Sequence, residues 1–234
     1  MKTILLLQFR KNDLIARHEK KCILNCLGGV ANLVSKNVFK NNFKISEKEM
    51  NKISAVIIGG SGDFSFSRKE TTPDLWEKIN KLTPLIKNFA GKNIPILGIC
   101  FGHQYLAYIF GSEIIRDESQ KEVGTFELHL TKSGRRDGLF YKIPSNFSAQ
   151  EGHEDSVKKL PKGAILLAQG TRCKIQTFRF KNIYGVQFHP ELSSIKDLEL
   201  RSRFYPHYAP SAAKINYRPS PFAKKVIKNF VKII

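Results

Sequence analysis

The stretch Pro95-Ile96-Leu97-Gly98-Ile99-Cys100-Phe101-Gly102-His103-Gln104 restricts the fold of this chain more than any other. An apolar run that reads as a buried strand stops at Gly98, and a helical pattern starts just past Cys100. A turn that tight leaves no room for Cβ atoms beside the central residue, which is why glycines flank it. Cys100 is then lifted above a sheet edge at a helix N-terminus, where the dipole favours negative charge on sulfur. Taken alone, G-x-C-x-G also describes a buried structural cysteine. A second stretch, Tyr184-Gly185-Val186-Gln187-Phe188-His189-Pro190-Glu191, favours the reactive reading.

Around the elbow the chain alternates strand and helix. Thr3 to Phe9 is almost wholly apolar, as in a strand covered on both faces. Asp13 is placed to cap a helix carrying Leu14, Ile15, Cys22, Ile23 and Cys26 to a stop at Gly28-Gly29. Val38 to Ile45 reads as a weaker second strand, and Ser46 with Glu49 as the capping box of a short helix. Ala55-Val56-Ile57-Ile58 is a buried strand running into Gly59-Gly60-Ser61-Gly62. Pro73 to Phe89 has helical spacing of Leu75, Trp76, Ile79, Leu82, Leu85 and Ile86. Ile94 to Ile99 and Gly102 to Phe110 supply the next strand and helix.

This order implies an α/β fold with right-handed crossovers and ligands at the carboxyl ends of the strands. Past Glu113 short strands joined by polar turns (113–116, 124–130, 165–169, 174–180 and 183–188) suggest a partly antiparallel extension. A proline-bearing loop from Tyr205 and a helix from Pro221 to Ile233 end the chain. No repeat or boundary divides it, so residues 1–234 read as one domain, with a core of about 3–192 and a C-terminal loop and helix from 193 to 234.

Composition narrows the function. Four cysteines at irregular spacing do not make a disulfide framework, which fits a reducing cytoplasm. Cys22 and Cys26 share a helix face with Ile15 and read as packing residues, since no His or Cys pair accompanies them; neither a metal nor a cofactor is expected. No apolar run is long enough for a transmembrane helix. The initial run from Ile4 ends at Gln8 and Arg10 without a cleavage site, so it is expected to be a strand rather than a leader. The net charge of +19 comes mostly from lysines scattered along the whole chain, without a basic arm or nucleic-acid motif. An acidic partner protein or an anionic substrate fits that charge better than nucleic acid.

Cys100, His189 and Glu191 supply a nucleophile, a base and an orienting carboxylate. His189 follows an apolar strand that delivers its ring to the edge where Cys100 stands. Pro190 biases the chain to extended geometry, so Glu191 can reach the ring from two residues away.

These two stretches resemble the signature motifs of class I (triad) glutamine amidotransferases, over roughly residues 3 to 192, of the stand-alone GMP-synthase-like type. The resemblance implies a flavodoxin-like three-layer sandwich with a mainly parallel central sheet and a small antiparallel extension. It implies that Cys100 attacks the side-chain amide of glutamine, releases ammonia and leaves a γ-glutamyl thioester for water activated by His189. The oxyanion donors would be the amides of Phe101 and Gly60. Gln104 matches a residue that holds the substrate. Glu151-Gly152-His153-Glu154-Asp155-Ser156-Val157 resembles the S-H-x-D-x-V loop that binds the α-amino and α-carboxylate groups through its backbone, which makes Gly152, His153 and Glu154 substrate-binding candidates. Gly152 stands where the family has serine, and His153 reads as structural because the triad is complete without it.

The glycine loop lacks the usual proline, and 122–131 resembles the stand-alone GMP-synthase-like members. Only 43 residues follow Glu191, too few for a fused synthetase domain, so the ammonia acceptor is expected on a separate synthase subunit. Two other functions compete: a γ-glutamyl peptidase or hydrolase using the same thioester, and a non-catalytic binding or regulatory protein on the same fold. Acceptor, partner and oligomeric state are left open by the residues.

Overall fold

The computed structural model describes residues 1–41, 43–67, 71–205 and 216–234. Its elements are β1 (Thr3–Gln8), α1 (Asp13–Leu27), β2 (Asn32–Asn37), α2 (Glu47–Met50), β3 (Ala55–Ile58), α3 (Pro73–Gly91), β4 (Ile96–Ile99) and α4 (Phe101–Ile109). There follow β5 (Ile114–Arg116), β6 (Glu122–Leu130), two 3-10 turns, β7 (Asn146–His153), β8 (Asp155–Val157), β9 (Ile165–Gly170), β10 (Thr177–Phe180), β11 (Ile183–Val186), α5 (Ile195–Phe204) and α6 (Lys225–Ile233). Nine strands form one sheet in the order β2-β1-β3-β4-β11-β10-β9-β6-β7. The first five are parallel and the remaining four continue the sheet antiparallel, while β5 and β8 pair separately.

Alternation along the strands builds the two halves of the core. Ile4 and Leu6 of β1, with Ala55 and Ile57 of β3, pack under Ile23 and Leu27 of α1 and Val226, Ile227 and Phe230 of α6. Leu5, Leu7, Val56 and Ile58 face the other way, onto Leu75, Ile79, Leu82, Ile86 and Phe89 of α3 and Phe101, Tyr105 and Leu106 of α4. Helix, sheet and helix therefore make the expected three-layer sandwich. Among the described residues no helix is long and apolar enough to cross a membrane.

Several local expectations are corrected. The helix α1 is capped by Asn12, whose Oδ1 accepts from the amides of Leu14 and Ile15, with Asp13 in the first turn; a side chain half outside the helix reaches those amides, whereas Asp13 already has helical backbone. The second strand is the more polar Asn32–Asn37, because it pairs with β1 at the sheet edge; 38–41 and 43–45 are turn and loop. The segment 151–157, expected as a binding loop, forms the end of β7 and all of β8. The last helix begins at Lys225 rather than Pro221. Residues 206–215 of the expected proline loop lie outside the described residues. The capping box at Ser46 and Glu49 is formed as expected.

Candidate active site

The parallel strands bring three chain segments to one sheet edge. β4 ends at Ile99, and Cys100 turns into α4 with φ 50° and ψ −103°, a conformation that side chains rarely adopt. The glycines around it are required by contact. A Cβ on Gly102 would lie 2.3 Å from Ile58 O, and one on Gly98 would lie 2.4 Å from the Gly102 carbonyl. The helix can thus press its first turn against β3 and β4 and hold the Cys100 side chain upright.

Gly60, past the end of β3, sits between the side chains of Cys100 and His189. A Cβ there would lie 3.0 Å from His189 Cε1, 3.2 Å from Arg10 Nη2 and 3.7 Å from Cys100 Cβ. The Cys100 thiol leans on the Gly152 carbonyl, 3.8 Å away. His189 Nδ1 is hydrogen-bonded to Glu191 Oε1 at 2.9 Å, and both side chains are buried. Burial works to lower the His189 pKa, but the charges of Glu191 and Cys100 outweigh it and carry it up to about 10. Burial likewise works to raise Glu191, and the His189 charge and hydrogen bond bring it down to about 2.

Phe101, Gln104, Gly152, His153, Glu154 and Asp155 line a cavity of about 290 Å³ that opens at Cys100. Every residue expected to bind substrate therefore lines the same cavity as Cys100. Their side chains do different work, however. Gln104 Nε2 donates to Asp155 O at 2.8 Å and to Gln187 Oε1 at 3.2 Å, so it also braces the cavity wall. Glu154 pairs with Lys121 at 2.9 Å and Arg116 at 3.6 Å. The His153 ring turns away from the cavity: its Nδ1 donates to Asp155 O at 3.0 Å, and its Nε2 lies 3.2 Å from Glu122 Oε2 and 3.6 Å from Glu151 Oε2. Burial, then Glu122 and Cys100, hold the Glu151 carboxyl well above its usual range. Burial likewise pushes His103 down to about 3, which leaves that ring neutral and outside the acid–base chemistry.

Several residues of the site are not singled out by the sequence. Arg10, buried at the end of β1, pairs with Glu19 at 2.6 Å and donates to Tyr205 Oη at 3.3 Å. Asp155 accepts from Ser65 Oγ at 2.6 Å, from the Phe66 amide at 2.9 Å and from Ser67 Oγ, which ties the loop after β3 to β8. Arg10 carries a usable signal, a charged residue directly after an apolar strand at the same sheet edge. The partners of Asp155 and Glu122 lie too far along the chain for any spacing to reveal them.

The profile of the family described as "Glutamine amidotransferase class-I" matches residues 20–203. The chain belongs to that family. Curated relatives of this amidotransferase include the glutamine-hydrolyzing GMP synthase subunit of Methanocaldococcus jannaschii, 34% identical over 165 residues, which are 68% of this chain and 77% of the relative. The protein of the same description from Thermococcus kodakarensis is 30% identical over 68% of this chain and 78% of its own length. In fold, the amidotransferase is similar to the crystal structure of a glutamine amidotransferase from Thermotoga maritima, with a TM-score of 0.77 and 18% identity over 99% of this chain and 97% of that one. As a class I glutamine amidotransferase, the chain is an enzyme that takes ammonia from glutamine.

Proposed function

We propose that Cys100, His189 and Glu191 carry the glutamine hydrolysis and that the ammonia serves a separate synthase subunit of the GMP-synthase type. The observation that carries the residue roles is the meeting of Cys100 and His189 across Gly60, with Glu191 locked on the far nitrogen of the ring. His189 takes the thiol proton as Cys100 attacks the amide carbon, then passes it to the leaving ammonia. Glu191 holds the ring so that the remaining nitrogen faces sulfur. The amides of Gly60 and Phe101 stabilise the oxyanion in both acylation and deacylation. Gln104 and the Gly152, His153 and Glu154 backbone form the wall that takes the amino-acid end of glutamine. The synthase partner is supported by the relatives described as glutamine-hydrolyzing subunits of GMP synthase, and a cytoplasmic setting accords with it.

The test is ammonia release by the purified chain from glutamine and from γ-glutamyl dipeptides, with and without Cys100→Ala. Glutamine should be hydrolysed and the variant should lose at least about 10⁴-fold. Full activity in the variant would sink the triad. Dipeptide hydrolysis much faster than glutamine hydrolysis would favour the γ-glutamyl hydrolase reading.

A further inference from the structure

His18 and Cys22 lie one turn apart on the same face of α1, and the first turn of α5 carries Asp197 over them. His18 Nε2 is 3.0 Å from Asp197 Oδ1 and 3.5 Å from Cys22 Sγ, and Cys22 Sγ is 3.8 Å from Asp197 Oδ1. A tetrahedral zinc ion, with bonds of about 2.0–2.1 Å to nitrogen and oxygen and about 2.3 Å to sulfur, spaces such donors by roughly 3.3–3.6 Å. The three atoms therefore stand within a few tenths of an ångström of a coordination face, with no backbone movement required. The other oxygen, Asp197 Oδ2, is fixed by the Ser194 amide at 3.0 Å and by its hydroxyl at 2.8 Å, which leaves Oδ1 free to turn to a cation. The His18 and Asp197 side chains are 13% and 21% exposed, over a buried Cys22, so the face opens to solvent. Mixed nitrogen, sulfur and oxygen donors suit zinc rather than magnesium or calcium.

We propose that His18, Cys22 and Asp197 bind a zinc-class divalent cation, with water completing its coordination.

The proton bookkeeping links this site to the triad. In the metal-free chain Arg201 Nε donates to His18 Nδ1 at 3.2 Å, so the ring proton sits on Nε2 and is donated to Asp197. A cation takes the Nε2 lone pair, and the ring proton moves to Nδ1, where it meets the Arg201 N–H and breaks that hydrogen bond. Cys22 loses its thiol proton to solvent as the sulfur–metal bond forms. One proton leaves per ion, and nothing is oxidised or reduced. Arg201 is then let go; its Nη2, without a hydrogen-bond partner among the described residues, stands 4.0 Å from Glu191 Oε1. A second cluster, Glu122, His153 and Cys173, is wholly buried and already hydrogen-bonded to Gln176 and to the Cys173 amide. It has no open side and serves as the control.

The experiment is a cobalt(II) titration of the chain carrying Cys100→Ser, which removes the active-site thiol as a rival ligand. A thiolate-to-cobalt charge-transfer band should saturate at one ion per chain and be displaced by zinc. Adding Cys22→Ser should abolish the band and weaken binding more than about 100-fold, beyond what loss of an outer partner costs. Adding Cys173→Ser should change neither. Arg201→Gln should tighten binding about tenfold by removing the competing hydrogen bond. If Cys22→Ser does not fold by circular dichroism, His18→Gln reads the same site through affinity. Absence of the band, or a band that survives Cys22→Ser and vanishes with Cys173→Ser, overturns the site. Weaker or unchanged binding in Arg201→Gln overturns its link to the triad.

Discussion

His189 and His153 are both buried, and each lies against a glutamate. His189 meets Glu191 two residues away at 2.9 Å, while His153 meets Glu122 at 3.2 Å from 31 residues away. What separates them is the company they keep. His189 has one carboxylate behind it and the Cys100 side chain ahead of it across Gly60, the arrangement that the proposed proton transfer needs. His153 faces a second carboxyl, Glu151, at 3.6 Å, and its other nitrogen is tied to Asp155 O. The thiol grouped with it and Glu122, that of Cys173, is wholly buried and does not line the cavity at Cys100. A buried histidine and glutamate thus suit the proposed base in one setting and brace the cavity wall in the other, depending on what stands at the far ring nitrogen.

The largest effect should come from the first pair. Glu191→Gln should lower kcat for ammonia release by about 10³–10⁴-fold with little change in KM, because the amide no longer fixes the ring tautomer. A loss under tenfold would reduce Glu191 to a packing residue. The same variant tests the sign of the pH dependence. His189 is raised from 6.5 to about 10, so its share of stability is complete below pH 6.5 and fades as pH rises through 10. Glu191 is lowered from 4.5 to about 2, so its share is complete above pH 4.5 and fades as pH falls through 2. The denaturant-midpoint gap between parent and variant should be widest between pH 4.5 and 6.5, and a gap that widens towards pH 10 would contradict the pairing.

The second pair should answer in stability instead of turnover. Glu122→Gln removes one partner of a wholly buried pair, and urea unfolding should report a loss of about 3 kcal/mol while kcat stays within about threefold. A collapse of kcat in a folded variant would move His153 into the chemistry. The smallest effect belongs to Glu151→Gln. Burial holds this carboxyl well above its usual range and so disfavours its charge, which an amide also lacks; unfolding at about pH 7 should therefore shift by less than about 0.5 kcal/mol. A loss as large as that of Glu122→Gln would mean that Glu151 is ionised.

The first pair is legible in the sequence and the second is not, for a physical reason. Gly98 to Gly102 and His189 to Glu191 are local: a close approach demands glycine, and a short extended step brings base and carboxylate together. The wall around His153 is assembled from β6, β7 and the segment before β10, so no spacing announces it. The same holds for Asp155, which gathers Ser65, Phe66 and Ser67 from the loop after β3, and for Arg10 with Tyr205. Strand placement errs where composition and burial part company. Val38 to Ile45 is richer in β-branched and aromatic residues than Asn32–Asn37, but the polar segment lies beside β1 with its backbone in register. Cys22 reads as packing in the sequence because its partners, His18 one turn before it and Asp197 far along the chain, do not form a cysteine pair.

The left-handed backbone at Cys100 has a consequence for how such a chain can change. A non-glycine residue there carries about 1–3 kcal/mol of strain, and glycine would relieve it without disturbing the neighbours. At that one position, the substitution that relieves the backbone is also the one that removes the thiol proposed as nucleophile, so durability and reaction pull on Cys100 in opposite directions.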